Sequence, residues 1–167
     1  GSSLTRQLLS FSATRQGSAP VTGSLRRLVD DAIPMIKRLL REDISVFVEH
    51  ESGDDLVRVD PGQLQASVVN LAVNARDAMQ PEGGGIVIET LVSQADQQII
   101  LAVEDAGAGV KPELASRIFE PFFSTKEEAH GSGIGLAVSS RIVLEHGGRL
   151  SLTAPAYGSG ARFEMHF

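Results

Sequence analysis

Four groups of residues have types and spacings suited to chemistry on a phosphorylated ligand. The first is Gly131-Ser132-Gly133-Ile134-Gly135-Leu136-Ala137. Glycine at every second position permits backbone angles that aim several N–H groups at one point, and the absent side chains admit a ligand closely. The run leads straight into Val138 to Glu145, which reads as a helix, so the positive end of a helix dipole stands beside it. A polyphosphate needs this arrangement, although taken alone it also fits a loop tip. The second group is Asn70, Asn74 and Asp77, which fall within about 60° of arc on a helix. Oxygens stacked in this way suit a hydrated Mg²⁺, and equally a solvated helix face. The surrounding Val68 to Ala78 is mostly apolar and asparagine is a poor helix-interior residue, which favours the ligand reading.

The third group is Asp105-Ala106-Gly107-Ala108-Gly109 at a strand end. Ile99, Leu101, Val103 and Asp105 point the same way, so Asp105 continues an apolar row and faces inward. A carboxylate there needs donors. The amino group of a purine would supply one, with Gly107 and Gly109 letting the ring lie against the backbone; the amides of its own turn are the other source. The fourth is Ile118-Phe119-Glu120-Pro121-Phe122-Phe123-Ser124-Thr125-Lys126. Phe122 and Phe123 are expected in the core, anchoring a loop from which Ser124, Thr125 and Lys126 reach phosphate.

These groups must be positioned by regular elements. Leu4, Leu8 and Phe11 have helical spacing, ending at Gly17 and Pro20. Val21-Thr22 reads as a short strand, and Ser24 caps a helix from about Leu25 to Arg41 that Pro34 should kink or break. Ile44 to Val48 and Leu56 to Val59 read as strands around a Gly53-Asp54-Asp55 turn. Asp60-Pro61 opens a helix to about Met79, with Leu64, Val68, Leu71, Ala75 and Met79 on its apolar face. Strands follow near Ile86 to Val92 and Gln98 to Asp105, then a short helix over Lys111 to Arg117, a loop over Glu120 to Ser132, and strands at Arg149 to Thr153 and Ala161 to Phe167. Strands outnumber helices, which predicts an α+β fold: a mixed sheet with helices on one face.

The 167 residues suit one domain with a real core. The net charge of −6 argues against a general nucleic-acid binder, and the absence of cysteine excludes disulfides and thiolate metal sites. No apolar run approaches a membrane span. Gly1-Ser2 reads as an expression scar, so the chain is expected to be a piece of a longer protein.

Together the groups resemble the ATP-binding catalytic domain of sensor histidine kinases, of the nitrogen-regulation and hybrid type within the GHKL superfamily. Asn70 to Ala78 is similar to that family's N box, Asp105 to Gly109 to its G1 box, Phe119 to Phe123 to its F box and Gly131 to Leu136 to its G2 box. Gly158-Ser159-Gly160 resembles the glycine-rich turn near its end. The likeness covers roughly residues 20 to 167, and residues 1–16 resemble the end of a dimerisation-domain helix, leaving 17–167 as the catalytic domain.

The resemblance implies a Bergerat-type two-layer α/β sandwich: a mixed, mainly antiparallel sheet with about three helices on one face. It implies that Asn74 ligates Mg²⁺, that Asn70 supports the ion or phosphates, and that Asp105 accepts from the adenine amino group. Gly107 and Gly109 give the ring room. Thr125, Lys126, Gly131, Ser132, Gly133, Ile134, Gly135 and Leu136 hold the phosphates, with Asp77 nearby. Many members carry an aromatic at the position of Ala78. The implied reaction passes the γ-phosphate of ATP to a histidine, leaving ADP, with Asn70, Asn74 and Lys126 as the catalytic set. The implied partners are the parent's own dimerisation and histidine-phosphotransfer domain and a response regulator or receiver domain; neither nucleic acid nor membrane contact is expected, and the setting is the bacterial cytoplasm. None of His50, His130, His146 and His166 stands in a phosphoacceptor context, so the receiving histidine is expected upstream. Two other readings are an ATPase of the same fold, disfavoured because those carry glutamate where Asn70 stands, and a non-catalytic nucleotide-controlled interaction module.

Overall fold

The computed structural model describes residues 18–125 and 133–167. In chain order these form β1 (Val21–Ser24), α1 (Leu25–Leu39), β2 (Ile44–His50), β3 (Leu56–Val59), α2 (Pro61–Ala78), β4 (Gly84–Ser93), β5 (Gln98–Asp105), a 3₁₀ turn (Pro112–Leu114), α3 (Gly135–Glu145), β6 (Arg149–Thr153) and β7 (Arg162–His166). A five-stranded sheet has the order β2-β4-β5-β7-β6; β2 and β4 are parallel and the other neighbours antiparallel. β1 and β3 form a separate antiparallel ribbon. The fold is thus α+β with a mixed, mostly antiparallel sheet and three helices, as the sequence predicts.

Strand alternation decides which sheet face is covered. Register aligns Val48, Ile88, Val103 and Phe163 across four strands, and Thr90, Leu101, Met165 and Leu150 form the adjacent row. Ile86, Ile88, Leu101, Val103 and Met165 are almost wholly buried there. Against this face α2 packs between α1 and α3. Its start is set by Asp60, whose carboxylate accepts from the amides of Gly62 and Gln63, with Pro61 at the first helical position. Leu64, Val68, Leu71, Ala75 and Met79 are buried, so the expected apolar face is the core face.

Three expectations need correction. Pro34 does not break α1; the helix runs unbroken to Leu39. Pro34 and Asp30 are exposed, so the carbonyl that loses its N–H partner is left to water. The predicted helix over 111–117 is a single 3₁₀ turn (Pro112–Leu114): its bonds are i→i+3, from Leu114 to Lys111 and from Ala115 to Pro112, and a lone i→i+4 bond from Ile118 to Leu114 does not extend it into a helix. Phe122 is 74% exposed, with φ of 65°, so it is not a core residue; Phe123 alone of the pair turns inward, with Arg117 4.5 Å above its ring. Two adjacent residues in a tight turn cannot both face the core. The expected helix at residues 4–11 lies outside the described residues.

The β1–β3 ribbon is tied to α1 by Asp55. Its carboxylate accepts from the Ser24 hydroxyl at 2.7 Å, the Arg26 amide at 2.8 Å and the Arg26 guanidinium at 3.0 Å. Burial pushes the Asp55 carboxyl up, but these donors outweigh it and pull it down to about 2. Because the folded value lies below the unfolded one of about 3.9, the stabilisation is complete above that pH and drains away as pH falls towards 2. Asp55→Asn should therefore lower stability by about 2 kcal/mol at neutral pH, with the gap to the parent chain closing in acid. Urea titrations at pH 7 and pH 3 check this; an equal gap at both would mean the charge is not what matters.

Candidate functional site

A cavity of about 250 Å³ opens between α2, the end of β5, the start of β7 and the N-terminus of α3. Its polar wall is a face of α2 distinct from the core face, where Asn70, Asn74 and Asp77 stand partly buried. Asp105 enters from the end of β5, Thr125 from the loop after Phe123, and Gly133, Ile134, Gly135 and Leu136 from the entry to α3. Val110, Ile118, Phe123 and Phe163 supply an apolar wall. The lining thus combines apolar surface suited to a flat ring with polar groups suited to charge.

Asp105 is only 6% exposed, facing inward as its apolar row predicts. Its Oδ1 accepts from the Gly107 amide at 2.8 Å and the Ala161 amide at 3.3 Å. Gly107 does not line the cavity. A Cβ there would come within 2.6 Å of the Ala78 carbonyl oxygen and 2.9 Å of Asp105 Oδ1, so glycine lets the strand end pack on the C-terminus of α2. Gly109 does line the cavity, with φ of 76° and its backbone against Gly160.

The glycines before α3 act through backbone approach. Gly133 has φ of 67°, and a Cβ on it would lie 2.4 Å from the Phe123 carbonyl oxygen. Its own carbonyl accepts from the Phe122 amide at 3.0 Å, which pins the aromatic turn to the entry of α3. A Cβ on Gly135 would sit 3.9 Å from Asn70, so α3 starts close over α2. The N-cap, Ile134, has no polar side chain and makes no side-chain cap bond to the first turn of α3. Lys126, Gly131 and Ser132 lie outside the described residues.

The Asn70 amide nitrogen donates to Ser139 Oγ at 3.4 Å, which leaves the carbonyl oxygen as the acceptor end of that side chain. Asp77 is paired with the Arg76 guanidinium at 2.9 Å. Among the described residues no three His, Cys, Asp or Glu side chains cluster as a metal cage. The donor set fits a hydrated Mg²⁺ that takes its other oxygens from a ligand's phosphates, because Mg²⁺ keeps its waters and needs few protein ligands.

The histidines of the described chain are structural. His146 ends α3, its Nδ1 meeting the Ile142 carbonyl at 2.7 Å, while Nε2 accepts from the Asp60 amide at 3.0 Å. That pattern is a neutral imidazole joining α3 to the start of α2. His50 bridges Asp30 and Thr90, and His166 bridges Gln98 and Glu164.

Composition and spacing did not single out Ser139, Val110 or Phe163, while Ile118 stood at the head of the aromatic motif. Phe163 had a readable signal, since it alternates with Met165, but only the pairing of β7 with β5 puts it beside Val103 and hence at the cavity.

Residues 59–167 match the family of histidine kinase-, DNA gyrase B- and HSP90-like ATPases. A sensor kinase, CckA, of Brucella abortus is 38% identical over 178 residues, covering 98% of this chain and 18% of that one. The chain therefore spans about a fifth of that relative's length. Among solved structures, the mycobacterial sensor histidine kinase MprB aligns with 26% identity and a TM-score of 0.75, covering 89% of this chain and 97% of that one. Full-length ShkA in complex with AMPPNP aligns with 26% identity and a TM-score of 0.77, covering 98% and 35%.

Proposed function

The chain belongs to the histidine kinase-, DNA gyrase B- and HSP90-like ATPases, as the ATP-binding catalytic domain of a sensor histidine kinase, and on that footing we propose that its cavity holds Mg·ATP and presents the γ-phosphate to a histidine of the parent protein. The carrying observation is convergence. Asn70, Asn74, Asp105, Thr125 and Gly133 to Leu136, dispersed along the chain, line one cavity together with the apolar Val110, Ile118, Phe123 and Phe163. The ATP-analogue complex of ShkA supports the reading by likeness.

In this proposal adenine lies against the apolar lining, its amino group donating to Asp105. The phosphates lie at the N-terminus of α3, where the amides of Gly133 to Gly135 and the helix dipole meet negative charge. Thr125 and Lys126 add contacts, as do Gly131 and Ser132. Asn74 holds Mg²⁺ directly and Asn70 supports it, with Asp77 beside them; the ion supplies charge neutralisation on the phosphoryl oxygens. Phosphoryl transfer asks mainly for positioning and electrostatics, and these residues provide both.

Asn70 also bears on the ATPase alternative. An amide takes no proton at neutral pH, so it cannot serve as base for an attacking water, and transfer to histidine is favoured over hydrolysis. Residues 17–167 are read as the catalytic domain and residues 1–16 as the end of a dimerisation helix. The partners proposed are that dimerisation and phosphotransfer domain and a receiver or response regulator, in a cytoplasmic setting. No helix among the described residues is long and apolar enough to cross a membrane.

Calorimetry of this chain with Mg·ATP and Mg·ADP tests the proposal. Saturable binding of both is expected; no heat at millimolar nucleotide would end it. The chain alone should not label itself from γ-labelled ATP, because the receiving histidine belongs to the parent.

A further inference from the structure

The sheet face turned away from the helices carries a buried charge cluster that the proposed reaction does not use. Glu104 precedes Asp105 on β5 and therefore points to the opposite face. It is 3% exposed, and Arg162, its neighbour on β7, is 5% exposed. Arg162 Nη1 donates to Glu89 Oε2 at 2.6 Å and to Glu104 Oε2 at 3.1 Å, and its Nε donates to Glu164 at 2.9 Å. The Tyr157 hydroxyl donates to Glu89 at 2.5 Å. Such a cluster costs desolvation and is a poor source of net stability.

The geometry shows what the cluster holds. Glu104 accepts from two consecutive backbone amides of the β6–β7 loop, Ala156 at 2.9 Å and Tyr157 at 2.8 Å. A few residues on, the same loop crosses to the cavity side and meets Asp105. The Ala161 amide donates to Asp105 Oδ1, and the Asp105 amide donates to the Ala161 carbonyl at 3.0 Å. Gly160 is pressed so close that a Cβ on it would fall 1.8 Å from the Asp105 carbonyl oxygen. The backbone of Gly160 also meets Gly109 in the cavity wall. One loop is thus gripped by two adjacent strand residues, Glu104 from outside and Asp105 from inside.

We propose that Glu104, braced by Arg162 and Tyr157, is a positioning residue for adenine recognition: it fixes the 154–161 loop, which in turn fixes the rotamer of Asp105. This deepens the nucleotide reading above and rests on it. Burial pushes the Glu104 carboxyl up, but the two amides and the guanidinium outweigh it and hold it below the ordinary carboxylate range. The clamp is therefore charged at neutral pH, and its hydrogen bonds are the strong, charge-assisted kind. Glu104→Gln keeps the shape, removes the charge, and can satisfy only one of the two amides through its single oxygen.

The test is calorimetry of Mg·ATP and Mg·GTP binding to this chain, to Glu104→Gln, to Asp105→Asn and to the double variant, with thermal melts beside them. Glu104→Gln should weaken ATP by roughly fivefold to tenfold and leave GTP nearly unchanged, so that discrimination falls. On the Asp105→Asn background the same substitution should cost less than about twofold, because its effect runs through Asp105. Tyr157→Phe, at an exposed ring, is the second variant and should show a smaller loss of the same kind. A folded Glu104→Gln that keeps wild-type ATP affinity overturns the proposal, and so does an equal loss on both backgrounds. Should Glu104→Gln fail to fold, a folded Tyr157→Phe with unchanged ATP and GTP affinities also overturns it. Failure of the wild-type chain to bind ATP would instead overturn the nucleotide reading, and the inference with it.

Discussion

Asn74→Ala in the full-length parent should abolish phosphoryl transfer to histidine, by at least about a thousandfold, because a metal clamp supplies several kcal/mol of charge stabilisation. Asn74 stands half-buried on the cavity side of α2 and is not among the residues that helix buries in the core. Nothing in the core depends on it. Alanine is also the better helix former, so the fold should survive or gain slightly. The measurement is acid-labile radiolabel on wild-type and variant parent, with circular dichroism as the folding control. A folded variant transferring at the wild-type rate would remove Asn74 from the metal site and return that face of α2 to ordinary solvated surface.

Asp105→Asn should weaken ATP binding by about ten- to a hundredfold, the equivalent of roughly 1–3 kcal/mol for a buried hydrogen bond inverted. In the variant the amide oxygen can keep the bonds from Gly107 and Ala161, so the turn persists. The new NH₂ presents a donor where adenine's amino group requires an acceptor. ATP should suffer more than GTP, since guanine carries a carbonyl at the corresponding ring position. Competition binding with both nucleotides reads this directly. Equal loss of both would point to general damage, and no loss would mean that the base lies elsewhere in the cavity.

Much of this site was legible because each part is local. The face carrying Asn70, Asn74 and Asp77 follows from helical periodicity, and the inward turn of Asp105 from strand alternation; both depend on a few consecutive residues. The family resemblance then joined the parts. What stayed hidden depends on contacts between distant segments. Phe163 reaches the cavity only through the register of β7 on β5. Phe122 was misplaced because two adjacent aromatics read as hydrophobic mass, while the backbone at that turn has room to bury one. Gly107 gives room not to a ring in the cavity but to the Ala78 carbonyl, while its amide caps the Asp105 carboxylate. Pro34 was overweighted, since a proline on the wet side of a helix loses a bond that water replaces.

The cavity has walls from α2, the end of β5, the loop at Thr125, the entry to α3 and the start of β7, so no contiguous stretch of chain contains it. An unfolded chain accordingly offers a nucleotide nothing to hold. A ligand seated there acts as a noncovalent staple across the middle and the end of the sequence, and its whole binding free energy becomes folding free energy. At ten times its dissociation constant it adds about 1.4 kcal/mol to stability, and about 2.7 kcal/mol at a hundred times. The durability of the domain in a cell is therefore set partly by the nucleotide pool: a fall in that pool loosens the same molecule that depends on it for phosphate.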